Sequence, residues 1–179
     1  MQPEIRTQRL LLRAFRDDDI DAFAKMNADP DVMLHFPLTL SRAESFEMIR
    51  RIRAHHQAYG FGMWAVELPE EAVLIGMVGL ARATFDAPFA PCVEVGWRLA
   101  ARYWGRGYAT EAARASVRFG FQPLGLEEIL AWTTVGNQAS RRVMEKLDMT
   151  YDPAEDFDHP NIPEGHPLRR HVLYRLRRR

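Results

Sequence analysis

The sequence has a single cysteine, Cys92, among its 179 residues. That excludes an internal disulfide framework and any cysteine-rich zinc site, and fits a reducing compartment. Charge of one sign is also missing: Lys+Arg and Asp+Glu each total 24, giving a formal net charge of +0. A duplex-binding protein usually carries a basic surplus, so nucleic acid is not an expected partner. No apolar run approaches the roughly 18–20 residues that span a bilayer. The opening residues lack the apolar core of a signal peptide. Repeats and low-complexity tracts are absent. What remains, 47% hydrophobic and 27% charged residues, suits a soluble cytoplasmic protein built as one domain over residues 1–179.

The hydrophobic pattern predicts a strand over residues 9–15, then a helix entered through Asp17, Asp18 and Asp19. Ser41 and Glu44 form a capping box that opens a helix to about Tyr59. The adjacent His55 and His56 would face different ways on it and are expected to be surface or core residues. Residues 61–68 and 73–81 read as a hairpin around a turn at 69–72. A Pro-containing loop leads to a strand over 92–99. Helix 107–121, strand 129–135, helix 137–147 and a last strand over 168–176 follow, with a long ordered loop at 152–167. The order implies an α+β (mixed α/β) fold, a mixed sheet with helices on both faces.

The most informative stretch is residues 93–113, VEVGWRLAARYWGRGYATEAA. A strand enters a loop holding Gly105 and Gly107, and the loop enters a helix. Two glycines let backbone approach a ligand closely and aim successive amides into one concavity. The free amides of a helix start add to them, which suits a pyrophosphate. Arg102 and Arg106 supply cationic charge. A dinucleotide fingerprint would need a third glycine where Thr110 stands, and an NTPase phosphate loop would need Gly-Lys-Ser/Thr.

Residues 102–109, RYWGRGYA, resemble the (Gln/Arg)-x-x-Gly-x-(Gly/Ala) signature of the GNAT acyltransferases. Residues 137–149 resemble that superfamily's second motif. The opening TQRLLLR at 7–13 and DPDVM at 29–33 are similar to the branch containing the ribosomal-protein N-terminal acetyltransferases. Asp148 departs from the glycine usual after the second-motif helix. The resemblance implies a GNAT-like splayed mixed sheet that admits acetyl-CoA and no metal. Strand 93–99 would be the splayed one, its amides near Trp97 and Leu99 pairing with the pantetheine arm and thioester carbonyl. The amides of Trp104, Gly105, Arg106, Gly107, Tyr108 and Ala109 would hold the pyrophosphate, and Asn137 would reach the cofactor from across the cleft.

The implied reaction is direct attack of an amine on the thioester, without a covalent enzyme intermediate. For protonating the leaving thiolate the candidate is Ser140, which could instead satisfy a backbone group in its helix's first turn. Glu94 is the candidate base, against an ordinary ion pair with an arginine. Asp158 and His159 are alternative bases or substrate contacts. His159, His166 and His171 are too irregularly spaced for a metal site. Asp31, His35, Phe36, Trp64 and Phe85 are candidate acceptor contacts, with core membership the competing role for the aromatics. The acceptor is expected to be a protein N-terminus or a small-molecule amine, the rival being a non-catalytic acyl-CoA-binding module, and the assembly a monomer or homodimer. The basic tail at 175–179 reads as a solvated end or an RNA contact.

Overall fold

The structure, a computed structural model, describes residues 3–71 and 73–178. Met1, Gln2, Ala72 and Arg179 lie outside the described residues, and with them parts of the opening, hairpin turn and tail read above. In chain order the strands are β1 (Ile5–Arg6), β2 (Leu11–Arg13), β3 (Met63–Leu68), β4 (Val73–Ala83), β5 (Cys92–Leu99), β6 (Glu128–Thr134), β7 (Thr150–Tyr151), β8 (Phe157–Asp158) and β9 (Arg170–Arg177). The α-helices are α1 (Ile20–Asn27), α2 (Arg42–Tyr59), α3 (Tyr108–Phe121) and α4 (Gln138–Lys146).

The strands form one sheet in the order β1-β2-β3-β4-β5-β6-β9-β7, with β8 also on β9. Every neighbouring pair is antiparallel except β5 and β6. Apolar residues alternate along the strands and feed two cores. One joins Trp64, Val78 and Leu80 to Ala112, Ala113 and Val117 of α3 and Met144 of α4. The other joins Ala65 and Met77 to Phe23 of α1 and Ile49 and Ile52 of α2. Helices therefore cover both faces.

Local chemistry sets the boundaries. Ser41 accepts from the Glu44 amide and Glu44 reaches back to Ser41, closing the capping box at α2. The strand expected at 9–15 is the shorter β2, because β3 offers partners only to Leu11, Leu12 and Arg13, and the two-residue β1 precedes it. Arg13 is buried in a bidentate pair with Asp19, so the acidic run supplies a counter-ion as well as a helix start. Asp148 has φ +61°, the left-handed conformation that glycine would take at that helix end. The basic tail is part of β9: Arg175 and Arg177 pair with Glu128, and Arg178 pairs with Glu127. Arg175 is half-buried between Glu128 and Glu155, whereas Arg177 and Arg178 stay exposed, so the solvated reading holds for the end of the described tail.

Candidate active site

The site begins where the sheet parts. β5 pairs with β4 along its whole length, from Leu99 opposite Gly76 to Cys92 opposite Ala83. On its other edge β5 meets the parallel β6 only at Glu94 opposite Leu130. Ala100 donates to the Ile75 carbonyl on the β4 side. Strand amides alternate between edges, so those of Gly96 and Arg98 face β4, while those of Val95, Trp97 and Leu99 face the parting. Beyond Glu94 the amides of Trp97 and Leu99 thus have no strand opposite them.

At the end of β5 the chain makes a 3-10 turn over Ala101–Tyr103 and enters the glycine loop. Gly105 and Gly107 have φ +74° and +80°. Gly107 is the N-cap of α3 and offers no side-chain cap, so the first-turn amides lack a partner from it. The Trp104 amide is a correction: it already donates to the Ala101 carbonyl, while its indole donates to the Leu99 carbonyl. Arg102 is another. Its guanidinium lies over the Tyr103 ring, and it lines a separate cavity of about 340 Å³ with Arg13, Arg16, Asp18, Asp19 and Glu67. Arg106 remains as the cation of the loop itself.

Arg9, which sequence reasoning missed, braces this loop. Its Nη1 donates to the Arg106 carbonyl at 2.9 Å, its Nε to Glu111 at 2.7 Å, and its guanidinium lies 4.5 Å from the centre of the Tyr108 ring. Thr7 adds a 2.6 Å hydrogen bond to Glu111. Burial alone would raise the Glu111 carboxyl, but the bonds from Thr7 and Arg9 outweigh it and hold the group below its ordinary value. Gly107→Val should weaken acetyl-CoA binding about tenfold or more, since a left-handed residue with a side chain costs roughly 1–2 kcal/mol. Calorimetry returning wild-type affinity would remove the loop from the binding site.

Glu94 lines a cavity of about 540 Å³ with Arg82, Phe85, Trp132, His159 and Asn161. Its surface is partly open to that cavity, yet burial of the carboxyl pushes it up to about 8. No arginine pairs with it among the described residues, so the ion-pair alternative does not hold. His159 stands near His171, ring centres 5.2 Å apart, and burial followed by the charge of His171 lowers its pKa. Asp158 is instead exposed and paired with Arg170. Burial and then Glu94 push the Cys92 thiol up to about 11, so it stays protonated near neutrality and is a poor nucleophile.

Ser140 reaches the parting from α4. Its Oγ accepts the Trp97 indole N–H at 3.2 Å, leaving its own proton free. Asn137 is occupied differently from the expectation: its Oδ1 caps α4 by accepting from the Ser140 amide, and its Nδ2 donates to Thr133. His35 and Phe36, neighbours in the loop between α1 and α2, straddle the opening. His35 bonds Thr134 of β6 at 2.9 Å, and Phe36 lies on Arg98 of β5. Trp64 is a correction as an acceptor contact. It is 0% exposed in the α3-side core and donates to the Pro3 carbonyl. Asp31 is exposed in the turn after α1 and does not line the Glu94 cavity. Among the described residues no group of three or more His, Cys, Asp or Glu is placed to hold a metal ion, and no helix is long and apolar enough to cross a membrane.

The raised Glu94 carboxyl has a thermodynamic signature. His35, His56, His159 and His171 are all held below their ordinary value, chiefly by burial, so they make stability rise with pH up to about 6.5. Between about 6.5 and 8 the unfolded chain has lost the Glu94 proton and the folded chain keeps it. Stability should then fall by up to about 1.4 kcal/mol per pH unit. Denaturation of Glu94→Gln across that range should be flat, and a persisting slope would place the effect elsewhere.

Residues 9–150 match the acetyltransferase (GNAT) domain family. The chain is 31% identical over 161 residues to the uncharacterised N-acetyltransferase YnaD of Bacillus subtilis (strain 168), covering 90% of this chain and 89% of the relative. It is 31% identical over 175 residues to the FsC-acetyl coenzyme A-N(2)-transacetylase of Aspergillus fumigatus, covering 92% of this chain and 74% of that protein. The crystal structure of a GNAT-family acetyltransferase from Bacillus anthracis superposes with a TM-score of 0.80 at 27% identity, covering 98% of both chains. Parted strands, glycine loop and matched motifs belong together in one lineage: the chain is a member of the GNAT acetyltransferase family, whose members use acetyl-CoA.

Proposed function

We propose that this single catalytic unit transfers an acetyl group from acetyl-CoA directly to a primary amine. The observation that carries the reading is the parting of β5 from β6 beyond Glu94, next to a helix start with uncapped amides. The amides of Gly105, Arg106, Gly107, Tyr108 and Ala109 would hold the pyrophosphate. Those of Trp97 and Leu99 would hold the pantetheine arm and the thioester carbonyl, where fixed donors need no reorganisation as negative charge develops. Asn137 contributes by shaping the start of α4.

Glu94 takes a proton from the acceptor ammonium, directly or through one water, and a carboxyl near 8 suits that task around neutral pH. The neutral amine forms the C–N bond, the tetrahedral adduct sheds the nitrogen's second surplus proton to water, and the C–S bond breaks. Ser140 gives its free hydroxyl proton to the leaving thiolate and recovers one from water. His159 lines the Glu94 cavity and would touch the acceptor there, with His35 at the opening. The acceptor is a protein N-terminus or a small-molecule amine, and a relative named for acetyl transfer to an N(2) position supports the second source. Release of free CoA with a panel of amines and N-terminal peptides tests the reading. Acetyl-CoA binding without turnover on any of them would make the chain a binding module instead.

A further inference from the structure

Leu130 of β6 is the register partner of Glu94 across the parting. Paired residues share a face and side chains alternate along a strand, so Trp132, two residues on, stands on the Glu94 face. Roughly 7 Å of strand rise separates the two positions. Both side chains line the cavity of about 540 Å³, together with Phe85 of the loop between β4 and β5 and His159 after β8.

This wall is aromatic. The Phe85 and Trp132 rings meet at 90° with centres 5.4 Å apart, and Phe85 stands 4.8 Å from His159. Phe89 and Phe157 back them, Phe89 lying 5.8 Å from Trp132 and Phe157 6.3 Å from Phe85. All five rings are half-buried. Neither of the two cores includes any of them, so the packing of the helices on the sheet does not account for them. His159, held below its ordinary value by burial and then by His171, is neutral near pH 7 and adds an uncharged ring to the wall.

Rings drawn from three distant segments and left half-open around a cavity mark a ligand surface. Charge in the cavity is sparse. The Arg82 guanidinium lies 5.5 Å from the centre of the Tyr59 ring at the end of α2, and Glu94 is the only carboxylate among the described lining residues. One carboxylate meets one ammonium, so a second positive charge on the acceptor would find no partner there. A flat ring has a better place. It can lie face-on to one of two perpendicular rings and edge-on to the other, the arrangements that ring quadrupoles favour. A short aliphatic spacer carries such a ring from a nitrogen held at Glu94 to the Phe85–Trp132 wall.

We infer that Phe85 and Trp132 form an aromatic subsite of the acceptor pocket, and that the acceptor is a primary amine carrying an aromatic ring on a short spacer, with the nitrogen at Glu94 and the ring against those two side chains. This rests on the acetyl-transfer reading above. The same unit occurs in a free aromatic amine and in a peptide that begins with an aromatic residue.

The test measures CoA release by the full chain with matched pairs: 2-phenylethylamine against ethylamine, and peptides beginning with Phe against the same peptides beginning with Ala. With kcat/KM referred to the free amine, the expected preference for the aromatic member is on the order of 10²-fold, in whichever arm is the source. Phe85→Ala should shrink that preference to about tenfold or less. Thermal melting and acetyl-CoA calorimetry verify that the variant is folded. Phe85→Leu keeps apolar volume at the loop, and should still shrink the preference about threefold or more, because the ring face is gone. Equal rates for both members of each pair, or faster turnover of 1,3-diaminopropane than of 2-phenylethylamine, overturns the inference and leaves acetyl transfer standing. An undiminished preference in a folded Phe85 variant overturns it too. Acetyl-CoA binding without turnover of any member, or no acetyl-CoA binding by the wild-type chain, would instead remove the acetyl-transfer reading and the inference with it.

Discussion

Glu94→Gln should lower kcat/KM at pH 8 by about 10²- to 10⁴-fold, the range a positioned general base contributes. The wild-type profile should climb through about 8 as the carboxyl loses its proton. Glutamine has no proton to lose there, so with the same acceptor the climb tied to that group disappears. Acceptor amines titrate as well, and comparing two acceptors of different basicity separates their contribution. The glutamine variant keeps the shape of the cavity wall, so acetyl-CoA affinity should stay within about threefold. A profile that keeps its climb at near wild-type rates would move the base elsewhere, with His159 the next group facing the cavity.

Ser140→Ala should slow single-turnover transfer by about 10²-fold or more if its hydroxyl protonates the leaving thiolate. The same substitution strips the Trp97 indole of its acceptor, and a partly buried donor left alone costs roughly 1–3 kcal/mol. Rate and stability would then fall together for unrelated reasons. The double variant Trp97→Phe, Ser140→Ala separates them. Removing both partners should restore most of the stability, because no orphaned donor remains, while the rate stays low. If the rate recovers with the stability, the serine only holds the indole in place.

Much of the positioning machinery could be read along the chain. Strand 92–99 matches β5, the Ser41 capping box opens α2, and the glycine loop feeds α3 as its spacing implied. These are local features, in which neighbouring residues dictate backbone shape. Period-two alternation likewise puts Glu94, Gly96 and Arg98 on one face of that strand.

What escaped depends on residues far apart. Arg9 meets Glu111 across 102 positions, and no local pattern announces that an arginine in the bend between β1 and β2 will brace a loop so distant. Trp64 looks like a pocket aromatic in sequence, but its place in β3 turns it to the α3-side core. Asn137 was expected at the cofactor, yet an asparagine just ahead of a helix has a competing use as its cap, and that use prevails here. The mate of a buried cation is equally invisible: Arg13 pairs with two carboxylates and Arg98, among the described residues, with none.

The brace between Arg9 and the glycine loop ties the proposed diphosphate cradle to the cooperative unit as a whole. A loop shaped only by its own glycines could melt and reform while the rest of the protein stayed intact. Here its geometry depends on the first strands being docked, so disturbing the edge of the sheet at Thr7 or Arg9 also disturbs the glycine loop. By reciprocity, a diphosphate held as proposed would steady the outer strands and act as a fastener for a sheet margin that it does not touch.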